Sequence, residues 1–221
     1  MKECKIIVVT NQKGGCGKTT ISMNLAGELS RSGKVLLIDG DIQGSATRWA
    51  KNNDTTKGFP AAIINLSTFE DQAHREINKY IKNYDYIIID CPPAMESKFA
   101  NSVLLVANLA IVPVVPSPTD MWAVSGILKL IKLIQEVNTT LKTRLLISNC
   151  DPRLSNVAKL GIENIHKMNI PVFSTKIYHR AAYEHSALFG QTVKDLSCKK
   201  SKEELKNLKK EVIVALNSLE D

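Results

Sequence analysis

Short apolar runs alternate along the chain with amphipathic stretches of helical spacing. Several runs are continuously apolar and rich in Val and Ile, which is typical of strands covered on both faces. They predict strands at residues 5–10, 34–38, 61–66, 86–90, 109–115, 144–149 and 172–174. Helices are predicted between them at 19–32, 69–83, 121–137, 156–168, 181–189 and 202–219, with a further short helix before a polar loop at 52–60. This alternation predicts an α/β fold with a doubly wound, mostly parallel sheet.

The length of 221 residues fits one such unit, and we find neither repeats nor a long linker, so 1–221 is predicted to be a single domain. In an open parallel sheet, ligands bind where the strands end at their carboxyl termini. The polar motifs described next follow predicted strands and therefore belong to that edge.

A glycine-rich segment, 13–20, links the first predicted strand to the first helix. Glycines let a backbone approach phosphates without a Cβ clash, and the following helix adds the positive end of its dipole. Lys18 places a cation near the β- and γ-phosphates, and Thr19 offers a hydroxyl ligand to Mg²⁺. The residues predicted to bind nucleotide here are Gly14, Gly15, Cys16, Gly17, Lys18, Thr19 and Thr20.

The loop departs from the usual phosphate-binding pattern because Gln12 occupies the place of the first glycine and a second lysine, Lys13, precedes the glycines. The sequence Lys-Gly-Gly-Cys-Gly-Lys-Thr-Thr resembles the deviant Walker A motif of the ParA/MinD family. The resemblance implies an ATPase whose cofactors are ATP and Mg²⁺. It also implies that Lys13 reaches the partner's nucleotide in a sandwich homodimer, and that Lys13 and Lys18 are both catalytic.

Carboxylates follow two further predicted strands. Asp39 and Asp41 stand in a segment that resembles the first switch of the family, and Asp90 precedes Cys-Pro-Pro as in its Walker B motif. A carboxylate beside Mg²⁺ and phosphate can orient water or accept a proton. By resemblance, Asp41 positions the attacking water, whereas Asp39 and Asp90 join Thr19 around the metal.

Two later segments are assigned to the base and to a helix start. The family reads adenine with an Asn at the position of Asn149, and the loop Ile177, Tyr178 and His179 should flank the base. Asp120 follows a Pro-Ser-Pro-Thr segment and has two interpretations: part of the dimer and partner surface, or a helix cap.

The formal net charge is +7, and basic residues are frequent in the C-terminal third of the chain. A basic surface suits a polyanion such as DNA or an anionic membrane, although a solvated lysine-rich surface explains the charge equally well. By resemblance, the predicted nonspecific DNA contacts are Arg180, Lys199 and Lys200. The five cysteines include no Cys-x-x-Cys pair, which disfavours a zinc or iron–sulfur site.

The resemblance favours a ParA-type partition ATPase of the short class, without an N-terminal helix-turn-helix module. Its implied partners are nonspecific DNA and a centromere-binding adaptor, either ParB-like or of a small ribbon-helix-helix type. Its implied location is the cytoplasm, at the nucleoid, and no membrane partner is expected. Two alternatives stay open: a MinD-like ATPase that inserts a C-terminal amphipathic helix in membranes, and an ATPase that positions another cargo.

Overall fold

The computed structural model describes residues 3–54, 58–93, 97–153 and 155–218, and of residues 118, 119 and 121–123 it describes the backbone alone. Every strand pairing in this described part is parallel. The spatial order is β3-β2-β4-β1-β5-β6, which confirms the predicted doubly wound α/β fold. The six strands are β1 (Lys5–Val9), β2 (Val35–Asp39), β3 (Ala62–Asn65), β4 (Tyr86–Asp90), β5 (Leu109–Val114) and β6 (Lys142–Ile147).

Helices cover both faces of the sheet. Their bounds are α1 (Lys18–Leu29), α2 (Ser45–Lys51), α3 (Ala73–Asn78), α4 (Lys98–Leu104), α5 (Pro118–Gln135), α6 (Asn156–His166), α7 (Ala181–Leu188) and α8 (Lys199–Asn217). In β1, Ile6 and Val8 join the core beneath α3–α6, whereas Ile7 and Val9 join the core beneath α1, α2, α7 and α8. This alternation explains why the central strands are almost continuously apolar, since both of their faces are buried.

Three elements differ from the prediction. The apolar run 172–174 forms only an isolated bridge, from Val172 to Leu145, because Leu145 is the one described β6 residue that hydrogen-bonds to it. The helix predicted at 69–83 is a 3-10 turn (Ser67–Gln72) followed by the short α3, and Glu70 at φ 42° interrupts it. Helix α4 was not predicted, although Ser97 caps it by accepting a hydrogen bond from the amide of Ala100.

The apolar stripe of α8 faces the protein. Leu205, Leu208 and Val212 are buried with α1 residues in the core of that face. Leu219, predicted to end this helix, and the acidic residues Glu220 and Asp221 lie outside the described residues. Within the described residues, no helix combines the length and the apolar character that a membrane span requires.

Candidate nucleotide site

The glycine-rich loop leaves β1 and enters α1 through two left-handed residues. Gly15 has φ 76° and Gly17, the N-cap of α1, has φ 88°. L side chains rarely adopt this conformation, so the loop needs glycine at both positions. A Cβ built at Gly15 would meet nothing within 4 Å, which leaves open space beside the backbone for a ligand. Helix α1 directs its unpaired amide groups into the same region.

Lys18 lies inside this loop. It is buried, and its Nζ donates to the carbonyl of Lys13 at 2.8 Å and lies 3.9 Å from the Cys16 sulfur. Ser148, at the end of β6, donates to the carbonyl of Cys16 at 2.8 Å and holds the loop against the sheet. Lys18 is therefore positioned as a fixed cation in a phosphate cradle.

Lys13 projects the other way, toward α5. Its Nζ lies 2.7 Å from Asp120 Oδ2, and the Asp120 carboxylate is almost fully buried. Ser117 is the N-cap of α5, and Asp120 lies in the first turn, where its amide donates to Ser117 Oγ at 3.4 Å. Asp120 therefore belongs to the capped start of the helix, and its part in a dimer or partner surface stays a prediction. Asp120 also accepts a short hydrogen bond from Ser117. The two lysines of the motif thus have different surroundings: Lys18 is within the loop, and Lys13 is paired outside it.

Two carboxylates meet where β2 and β4 end. Asp39 and Asp90 are direct partners in the parallel register, and both are buried. Asp90 accepts hydrogen bonds from Thr19 Oγ1 at 2.6 Å and Ser22 Oγ at 3.1 Å. Burial raises the pKa of Asp90 to about 7 and the Asp39 charge adds to the rise, while the two hydroxyls and Lys18 oppose it.

The first-switch residues form a compact turn. Asp39 accepts hydrogen bonds from the amide and the hydroxyl of Thr47, both at 2.8 Å, and from the amide of Asp41 at 3.1 Å. Asp41 is half-buried and accepts from the amide of Gln43 at 2.8 Å. The turn therefore fixes the Asp39 side chain and leaves Asp41 at the rim of the site.

The residues Thr19, Asp39 and Asp90 fit Mg²⁺ in their chemistry, since all their donor atoms are oxygen. In the described part of the chain, no three His, Cys, Asp or Glu side chains form a metal cluster. Mg²⁺ is usually held by one or two carboxylates together with substrate phosphates and water, so this small donor set suits magnesium bound with a nucleotide.

A cleft of about 310 Å³ adjoins the loop. Asn149 has φ 50°, and its Oδ1 lies 3.0 Å from His179 Nδ1. The structure therefore brings the predicted base-binding residues to the phosphate loop. Residues lining this cleft include Gly15, Gly17, Thr20, Asn149, Ile177, Tyr178 and His179.

Arg180 is engaged within the protein. Its Nη2 lies 2.6 Å and its Nε 2.7 Å from Glu204 Oε1 on α8, and its guanidinium stacks over Tyr178 at 5.3 Å from the ring centroid. The hydrogen bond to Glu204 raises the pKa of Arg180. Lys199 and Lys200 are exposed at the start of α8. The assignment of these three residues to DNA stays a prediction.

Several positioning residues escaped the sequence reasoning. Ser22 and Thr47 hold the two buried carboxylates, Ser148 holds the loop, and Glu204 holds Arg180 and the Tyr183 hydroxyl, at 2.9 Å. Ser22 stands one helical turn after Lys18 and Thr19, and this spacing was an available signal. Glu204 gave none, since its partners lie more than twenty residues earlier in the chain.

A strand, a glycine-rich loop, a helix and a carboxylate at the neighbouring strand end define a P-loop nucleotide-binding protein. The family model described as "CobQ/CobB/MinD/ParA nucleotide binding domain" matches residues 7–193, and the chain belongs to this family. This family includes ParA and MinD, which confirms the resemblance predicted from the deviant phosphate loop.

Two curated relatives illustrate the range of the family. The chain is 29% identical to Maintenance of carboxysome distribution protein A of Halothiobacillus neapolitanus, over 94% of this chain and 95% of that protein. It is 31% identical to the sporulation initiation inhibitor protein Soj of Bacillus subtilis, over 79% of this chain and 82% of that protein.

Solved structures share the fold at lower identity. An ATP complex of a Cyanothece McdA variant has a TM-score of 0.83 and 17% identity and covers all of both chains. The septum site-determining protein MinD of Pyrococcus horikoshii, complexed with Mg-ADP, has a TM-score of 0.77 and 20% identity and covers 95% of this chain and 96% of its own. Members of this nucleotide-binding fold thus bind ATP and magnesium.

Proposed function

We propose that the chain, as one ATPase domain spanning 1–221, binds Mg-ATP, forms a sandwich homodimer and hydrolyses the nucleotide slowly. The observation that carries this proposal is the separation of the two loop lysines. Lys18 is held within its own loop, whereas Lys13 is held 2.7 Å from Asp120 outside it. A cation so placed can serve a nucleotide on a facing subunit.

Each site residue has a distinct task in this proposal. Lys18 and the loop amides bind the phosphates, Thr19 and Asp90 hold the metal side, and the Asn149 amide presents both a donor and an acceptor to adenine. Bound magnesium supplies charge neutralisation of the phosphoryl oxygens. Asp41, at the rim, orients the attacking water and can accept its proton. Lys13 of a second subunit completes the charge around the phosphates, so an isolated subunit hydrolyses slowly.

We further propose that the ATP-bound dimer binds DNA without sequence preference, and that an adaptor protein bound to the cargo stimulates hydrolysis. Lysine ammonium groups at the exposed start of α8 support this step, because phosphate contacts need only suitably placed cations. With the membrane-facing alternative, the buried stripe of α8 would have to leave the core. Partition of a plasmid or chromosome is the cargo role we favour, with the protein at the nucleoid in the cytoplasm.

Positioning of a protein cargo is the second candidate. The similarity to the carboxysome distribution protein extends over nearly the whole of both chains, whereas the similarity to Soj is less extensive. A ParB-like or ribbon-helix-helix adaptor would then be replaced by an adaptor on the protein cargo.

The first test is binding to random-sequence duplex DNA with ATP, with ADP and without nucleotide, at two salt concentrations. Binding that requires ATP and weakens steeply with salt is the expected result, since released counterions drive phosphate contacts. Light scattering on the same samples should show a dimer in ATP alone. A monomer in all three states, or equal DNA binding in all three, would contradict the proposal.

A further inference from the structure

A groove lies where β6 begins, at the amino ends of the strands, whereas the nucleotide site lies at their carboxyl ends. It has a volume of about 790 Å³ and runs between α5, the start of β6 and the segment 168–171. Because all strand pairings are parallel, the amino end of β6 is remote from the strand ends that hold the phosphate loop. The groove therefore belongs to a different surface, and no function described above uses it.

The groove combines an apolar floor with a basic rim. Its described lining residues include Lys129, Lys132 and Arg144 and no Asp or Glu, and none of these three cations forms an ion pair with a described residue. Lys142 also lines the groove but is used differently, since it donates to the carbonyl of Ala215 at 3.1 Å. The apolar floor is formed by Leu128, Ile131, Met168, Ile170 and Pro171.

One stretch of the sheet edge opens into this groove. In a parallel ladder, alternate residues direct their amide and carbonyl to the same side. Leu145 and Ile147 use their outward groups to bind the segment 171–177, with Leu145 donating to Pro171 at 2.9 Å and accepting from Phe173 at 2.9 Å. Thr143 is the next outward position, and that covering segment begins beyond it.

Thr143 also carries an orphaned hydroxyl. Its Oγ1 is buried and has no hydrogen-bond partner among the described residues. A buried hydroxyl without a partner is costly, so it marks a place where a ligand could supply one. It lines the same groove as the three cations.

We propose that this groove binds an extended segment of a partner protein in which acidic and apolar side chains alternate. The outward edge at Thr143 would pair with the backbone of that segment, as an added strand does at an open sheet edge. One side-chain face would meet the apolar floor, and acidic side chains would meet the basic rim. DNA fits less well, because its charged phosphate backbone has no apolar side chains that could pack against the apolar floor.

The test is selection from two displayed peptide libraries of defined composition. One alternates Asp or Glu with Leu, Ile, Val or Phe, and the other replaces the acids with Lys or Arg. We expect the acidic library alone to yield binders, which then compete with one another for one site. No enrichment from the acidic library, or equal enrichment from both, would overturn the proposal.

Two groove variants locate the site. The triple variant Lys129→Glu, Lys132→Glu, Arg144→Glu should weaken the selected peptide by about tenfold or more. Thr143→Val, which removes one hydroxyl, should weaken it several-fold and leave folding stability equal or higher. Binding unchanged in both variants would overturn the proposal. The matched control replaces two lysines and one arginine, all exposed and remote from the groove: Arg31→Glu, Lys51→Glu, Lys82→Glu.

Two further arms separate this proposal from the others. The variant Lys18→Ala should no longer bind nucleotide but should bind the selected peptide with unchanged affinity. The peptide result is therefore independent of whether the proposed nucleotide site is correct. The groove triple variant should bind random duplex DNA no more weakly than the matched control does. A selective loss of DNA binding in the groove variant would show that the groove contacts DNA and would overturn the peptide proposal.

Discussion

At the scale of single residues, the two lysines of the phosphate loop show how identical chemistry acquires different roles. Lys18 is enclosed by loop atoms, and Lys13 is paired with a buried carboxylate on α5. The pair with Asp120 makes Lys13 a structural group in the isolated subunit, and the proposed function makes it the trans-acting group in the dimer. A substitution of Lys13 should therefore change both folding stability and nucleotide chemistry, and each has to be measured separately.

Lys13→Ala should bind ATP but neither dimerise nor hydrolyse it. It should also lose about 1–3 kcal/mol of folding stability, because the buried Asp120 carboxylate is left without its cation. Titration with a fluorescent ATP analogue, light scattering and phosphate release measure the three functional properties, and urea unfolding measures the fourth.

The double variant Lys13→Ala, Asp120→Asn is the control for stability. It removes the unpaired charge and should recover most of the lost stability while turnover stays absent. Turnover close to that of the unmodified protein in either variant would remove the trans role of Lys13.

Asp90→Asn should stabilise the nucleotide-free protein, since it removes a buried charge, and should abolish magnesium-dependent nucleotide binding. Because burial raises the pKa of Asp90 from 3.8 to about 7, the folded state holds the proton more tightly than the unfolded state. Its contribution to stability is complete below pH 3.8 and is lost as the pH rises through about 7.

The advantage of Asp90→Asn should therefore be small near about pH 4.5 and should exceed about 1 kcal/mol near about pH 8. Urea unfolding at both pH values, with the exposed-site control Asp54→Asn, measures it. An advantage that is equal at the two pH values would contradict the burial argument.

At the scale of elements, α8 supports the base cleft through one carboxylate. Glu204 accepts from Arg180 and from the hydroxyl of Tyr183, and its Oε2 lies 3.5 Å from the amide nitrogen of Tyr178. Burial and the Glu204 charge raise the pKa of Tyr183, so its hydroxyl remains a donor. The helix that carries the exposed lysines is thereby joined to the loop that flanks the proposed base.

Glu204→Gln should cost about 1–3 kcal/mol of folding stability, because the partly buried Arg180 loses its counter-charge. It should also weaken ATP binding several-fold, since Glu204 lies against the amide of Tyr178, which lines the base cleft. A double-mutant cycle with Arg180→Met, followed by urea unfolding, isolates the pair. Additive effects of the two substitutions would show that the pair contributes nothing.

The elements also show what sequence can predict. The phosphate loop, the strand-end carboxylates and the base loop are local patterns after strands, and the structure brings them together as predicted. Glu204 bonds to Arg180, and Asp120 to Lys13, across long stretches of the chain, so spacing could not reveal Glu204 or the pairing of Asp120 with Lys13. Helix α4 was missed because its seven residues are too few to establish a periodicity.

At the scale of the whole molecule, nucleotide binding and the proposed peptide binding lie at opposite ends of the parallel strands. The carboxyl ends of the strands carry nucleotide chemistry, and the amino end of β6 carries the proposed peptide groove. In the proposed function, the ATP-bound dimer changes its affinity for DNA while a partner stays bound at the groove. Hydrolysis then controls whether the protein is a dimer or a monomer.

Asp41→Ala should trap that state. Asp41 lies at the rim and accepts a single backbone hydrogen bond, from Gln43, so its removal should cost little stability. If Asp41 orients the attacking water as proposed, its loss should lower turnover by about a hundredfold or more, while the proposed contacts of Lys13 and Lys18 still hold ATP between two subunits. Light scattering in ATP should show a dimer that outlasts that of the unmodified protein, and DNA binding should persist after ATP is diluted.

A monomer, or a dimer that dissociates at the rate of the unmodified protein, would show that Asp41 does not control hydrolysis. The double variant Asp41→Ala, Lys13→Ala should be monomeric, because the trapped dimer depends on the lysine that each subunit gives to the other.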